Sequence, residues 1–140
     1  MYLDGKLNRI SRDGYERTLE VVVDGWAVYW IGAIEFEENN REVERFVEGD
    51  RFSSQIKVQF VTEIRPQVAS ARHSFEQPIA SSPHCQIAAT VLDSPDAYSF
   101  RCSISEGGPA ILVETEKAHS LKMGEAIEFA GELALLEIDD

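Results

Sequence analysis

The side chains able to do chemistry are few and scattered. His73, His84 and His119 are the only three histidines, and none stands at the spacing that would put two metal ligands on one helical face. His84-Cys85, with His73 upstream, lacks the tight paired spacing of a zinc site. Ser81 and Ser82 lie near His84, yet neither occupies a Gly-x-Ser-x-Gly turn and no orienting acid stands beside them. Gly107-Gly108 leads into Pro109 and a strand pattern, not into a helix whose first amides would cradle a phosphate. The sequence therefore offers no catalytic residue, no metal site and no cofactor, and it points away from an enzyme.

Acid is the remaining chemistry. The chain sets 13 Lys and Arg against 25 Asp and Glu, a formal charge of −12 over 140 residues. Such a charge repels nucleic acid and anionic membrane surfaces, and it speeds encounter with a cationic protein. Part of it is focused in one hairpin. If Asn39-Asn40 is a two-residue turn, Glu38 faces Arg41, Phe36 faces Val43, Glu37 faces Glu42 and Glu35 faces Glu44. Directly opposed like charges destabilise a sheet by up to about 1 kcal/mol per pair, so this ladder calls for a use. One use is to keep a sheet edge from pairing with another chain. The other is docking, which makes Glu35, Glu37, Glu42 and Glu44 the candidate partner-binding residues. The function expected is a non-enzymatic acidic domain that docks a basic protein partner, of inhibitor, immunity or adaptor type. The alternatives are a barrel holding a small ligand among Tyr98, Phe100, Trp26 and Trp30, and a structural subunit that self-associates through sheet edges.

The elements that must position these residues are strands. Alternation is cleanest over 52–64, where Phe52, Ser54, Ile56, Val58, Phe60, Thr62 and Ile64 share one face. A second long strand covers 126–138, with Gly131 expected to mark a bulge. Asp24-Gly25 reads as a two-residue turn pairing Val23 with Trp26, Val21 with Val28 and Leu19 with Trp30. A turn at 93–96 pairs Val91 with Tyr98, Ala89 with Phe100 and Ile87 with Cys102, and a turn at Gly107-Gly108 sets Cys102 opposite Val113. Helical periodicity is weak, with only 70–77 and 114–123 open to a short helix or turn.

Phe46-Val47-Glu48-Gly49-Asp50-Arg51-Phe52 is echoed half a chain later by Leu121-Lys122-Met123-Gly124-Glu125-Ala126-Ile127, each leading into a long alternating strand. The fold expected is one all-β domain over 1–140, a barrel or two-sheet sandwich of about eight mainly antiparallel strands. Its possible duplicated halves are 1–65 and 84–140, joined by a connection at 66–83. Strands are expected near 18–23, 26–37, 41–47, 52–64, 85–92, 97–104, 110–116 and 126–138. Cys85 and Cys102 are too few for a disulfide framework and read as buried thiols. The first residues lack a basic and apolar leader, which sets a cytoplasmic location as the expectation.

Overall fold

The computed structural model describes residues 1–35, 37–38, 41–42, 46–67 and 73–136, with 37–38 and 41–42 given by their backbone. Among the described residues every regular element is a strand: β1 (Tyr2–Asp13), β2 (Glu16–Val23), β3 (Ala27–Ile34), β4 (Glu37–Glu38), β5 (Arg41–Glu42), β6 (Arg51–Val61), β7 (Ile64–Pro66), β8 (Ser74–Glu76), β9 (His84–Asp96), β10 (Ser99–Ser103), β11 (Ala110–Thr115) and β12 (Ala126–Leu135). Among them no helix is long and apolar enough to cross a membrane.

Eight strands close a mixed barrel in the order β12-β3-β2-β1-β6-β11-β10-β9, and β9 returns to β12. Of the other four, β7 lies on β12, β8 on β9, and β4 with β5 forms a separate ribbon. The expected all-β single domain is thus a closed barrel and not a two-sheet sandwich. Its interior is filled by side chains, as suits eight strands, with Leu19, Ile31, Ile56, Phe100, Ile111 and Leu133 fully buried.

Two groups of strands share one pairing pattern. β1·β2, β2·β3 and β1·β6 are antiparallel, and so are β9·β10, β10·β11 and β9·β12. The groups join through parallel contacts, β3 beside β12 and β11 beside β6, and through the antiparallel pair β6·β12. Gly49 and Gly124 have φ of 94° and 91°, a conformation open to glycine and strained for an L side chain. Gly49 N–H donates to Leu7 O at 2.6 Å while Leu7 N–H donates to Asp50 O at 2.8 Å; Gly124 N–H donates to Val91 O at 2.8 Å while Val91 N–H donates to Glu125 O at 2.9 Å. Each Gly-acid step therefore ties the start of a long strand to the first strand of its own group.

Several sequence expectations are corrected. The barrel strand expected at 41–47 contributes only β5 among the described residues, and its place is taken by β1. Leu3, Leu7 and Ile10 are the buried residues of β1. Their alternation is hidden by Gly5, where a Cβ would lie 2.4 Å from Val22 O, and by a bulge between Leu7 and Arg9. At Asp24-Gly25 the loop holds three residues, so Val23 pairs with Ala27 and Glu20 with Trp30. This shift of one residue moves Trp26, Val28 and Trp30 off the core face, and Trp26 is 79% exposed. The next turn falls at 97–98, and bulges set Cys102 opposite Val91. β11 is displaced from expectation by two residues, so that Cys102 meets Ile111. These shifts are even in number, and Phe100, Cys102, Ile111 and Val113 stay inward, while Tyr98 falls in the turn and is exposed.

Candidate functional site

The acidic hairpin is anchored by a buried charge pair. Arg17 lies on the inward face of β2 with Leu19 and Val21, where a cation requires a counterion. Its Nε donates to Glu35 Oε1 at 3.2 Å, and the side chains are only 4% and 5% exposed. Arg17 Nη1 donates to Gly14 O at 2.7 Å and Glu16 O at 3.0 Å. The amide of Glu35 donates to Tyr15 O at 2.9 Å, fixing the backbone just before β4.

Glu35, expected on the outer acidic ladder, is therefore buried and committed to Arg17. Its partner Arg17 lies on β2, eighteen residues away in sequence and outside the hairpin. Arg17 itself was legible as a charged residue on an apolar period-two face. Glu37 opposes Glu42 and Glu38 opposes Arg41 in the β4·β5 register. Glu44 lies outside the described residues.

A groove of about 600 Å³ opens beside this anchor, lined among others by Glu16, Arg17, Ile34, Lys57, Phe60 and Glu132. It exists because β3 and β12 meet at a single register pair, Gly32 with Ala134. Arg17 is answered by Glu35 and Lys57 by Glu114. Glu16 and Glu132 form no ion pair among the described residues, so the lining is left with acid in excess.

Phe60 stands at the mouth with φ of 59° and 55% exposure. Val113 pairs with Val58 and Thr115 with Val61, which leaves one extra residue on β6, a bulge. The bulge turns Phe60 out and Val61 in, against the expected alternation. A non-glycine residue in this conformation costs about 1–2 kcal/mol. The expected bulge at Gly131 does not occur, since β12 pairs with β9 through it without interruption. Its glycine serves a close approach instead, because a Cβ there would lie 2.7 Å from Gln59 O and 2.8 Å from Val58 Cγ1. The pinch by β12 and the bulge of β6 thus occur at one place.

The other candidates are occupied by structural duties. Ser82 Oγ accepts from the His84 backbone at 3.2 Å. His73 Nε2 lies 3.0 Å from Thr90 Oγ1. His119 Nε2 donates to Ser99 O at 2.7 Å, while its Nδ1 accepts from the Leu121 amide at 3.1 Å. Among the described residues no cluster of His, Cys, Asp and Glu could hold a metal ion. Phe100 is fully buried, edge-on to Phe129 and His119, whereas Tyr98 and Trp26 are exposed. Trp30 is turned off the core face, and none of these four aromatics is among the described residues lining the groove at Phe60. Cys85 and Cys102 are buried and unpaired, and burial pushes both thiols up to about 12. Comparison with family models, curated proteins and solved structures finds no match.

Proposed function

We propose that the chain is a non-enzymatic acidic domain that docks a basic protein partner through the hairpin bearing Glu37, Glu42 and Glu44, with Glu35 and Arg17 holding its base. The observation that carries this reading is the direct opposition of Glu37 and Glu42 on a ribbon separate from the barrel. A ladder that sets two like charges opposite each other works against its own stability, and a cationic partner would relieve it. The overall charge of −12 would steer such a partner toward the domain. Two buried unpaired thiols accord with a cytoplasmic setting.

The test is affinity capture from native lysate at low and moderate salt, repeated with Glu37→Gln/Glu42→Gln. A basic protein retained at low salt, released by moderate salt and captured poorly by the double variant supports the reading. Retention that is indifferent to the variant, or limited to small molecules, overturns it.

A further inference from the structure

We propose that the groove beside β3 receives an extended segment of the partner, an apolar residue flanked by lysine or arginine, which adds as a strand to β3 at Ile34. The inference rests on the reading that the partner is basic, and three features of the groove carry it.

The first feature is an edge that no described strand covers at Ile34. Trp30 N–H donates to Gln77 Oε1 at 2.9 Å, and Gln77 Nε2 donates to Trp30 O at 2.7 Å, so the Trp30 backbone points away from β2. The Glu35 amide bonds Tyr15 O, at the start of β2. Alternation along β3 therefore aims the amide and carbonyl of Ile34 away from β2, into the groove. β12 covers this edge only at Gly32, and among the described residues no strand pairs beyond it. A peptide strand would supply the missing ladder.

The second feature is a pair of apolar anchors. Ile34 is 51% exposed, and Phe60 is held outward by a bulge in which glycine would be the easier residue. Strain retained around an exposed aromatic at a groove mouth is the mark of a contact residue. The third feature is charge. Glu16 and Glu132 line the groove together with Ile34 and Phe60 and form no ion pair among the described residues, which suits cationic side chains beside an apolar one. A second copy of this chain is a poor occupant, because its own edge would bring Glu16 and its charge of −12 against the same acids.

The test uses a fluorescein-labelled, N-acetylated hexapeptide alternating valine and lysine. Two controls accompany it, a valine-glutamate peptide and the valine-lysine peptide with alternate amides N-methylated. Anisotropy should show the valine-lysine peptide binding about tenfold more tightly than either control, with NMR amide shifts at Gly32, Ile34 and Phe60. Phe60→Gly relieves the strained conformation, so it should fold with no loss of melting temperature while affinity drops about tenfold. Glu106→Gln, an exposed acid in a turn away from both the groove and the hairpin, should leave peptide affinity unchanged. Equal binding of all three peptides, shifts confined to the ribbon, or full affinity in Phe60→Gly would each overturn the proposal. Peptide binding without a captured basic partner would sink the docking function and leave the groove standing. Capture that is indifferent to Phe60→Gly would sink the groove alone.

Discussion

Arg17 Nε sits 3.2 Å from Glu35 Oε1, both side chains buried, and this contact ties β2 to the backbone that leads into the acidic hairpin. Removing the Glu35 carboxylate takes a counter-charge from a buried cation, and breaking a buried pair costs about 3–5 kcal/mol. Glu35→Ala should therefore lower unfolding free energy by about 3 kcal/mol in urea titration. Arg17→Met/Glu35→Leu, which removes both charges and keeps bulk, should recover most of that loss. A double variant as unstable as Glu35→Ala would show that the pair is not the anchor.

The crossing of β12 over β6 makes two opposite forecasts for glycine. Phe60→Gly should stabilise the fold by about 1 kcal/mol by freeing a left-handed position from its side chain. Gly131→Ala should destabilise it by at least about 1–3 kcal/mol, because the added methyl meets the Gln59 carbonyl and two valine side chains. Thermal melts of the two variants moving in the same direction would contradict this geometry.

The difference between what alternation discloses and what it hides is visible at these same residues. Phe52, Ile56 and Val58 alternate regularly and are buried as expected. One bulge then reverses the phase, and neither Gln59 nor Phe60 announces it; the strand that meets Gln59 there, at Gly131, is far away in sequence. β1 escaped notice for a related reason, its inward stripe being interrupted by a glycine that Val22 requires to be small. The Gly49 and Gly124 turns were legible because a local Gly-acid step carries the whole signal. The hairpin register of Glu37 and Glu42 was legible as well, being set by a short loop. The groove was not, since Glu16, Ile34, Phe60 and Glu132 come from four strands that only the closed barrel assembles.

The thiols make a prediction about alkaline pH. Burial raises Cys85 and Cys102 from 9.0 to about 12. Between those values the unfolded chain gives up protons that the folded chain keeps. The stabilisation is therefore complete below about pH 9 and lost as pH rises toward 12. Unfolding free energy should fall across that window with a slope approaching ~1.4 kcal/mol per pH unit for each thiol. Both thiols should resist a disulfide reagent at pH 8 in the folded state and react promptly in denaturant. Rapid labelling of the native protein would show that one of them is accessible.

The Glu37 and Glu42 register separates a docking hairpin from a solubilising one. In either case Glu37→Gln/Glu42→Gln removes a like-charge opposition, so stability should hold level or rise by a few tenths of a kcal/mol up to about 1. The two roles part company in association kinetics. A docking surface loses on-rate when its charge is removed, and its rate becomes less sensitive to salt, because steering acts before contact. Stopped-flow association with the captured basic partner, measured from low to moderate ionic strength, should therefore show a slower and flatter profile for the double variant. Dissociation should change little if these glutamates act mainly by steering. Glu38→Gln on the same ribbon, whose register partner is Arg41, provides the control, since it removes one acid without relieving the opposed pair. If the wild-type chain and the double variant share one salt profile, the glutamates guard the hairpin against aggregation, and partner recognition falls to the groove.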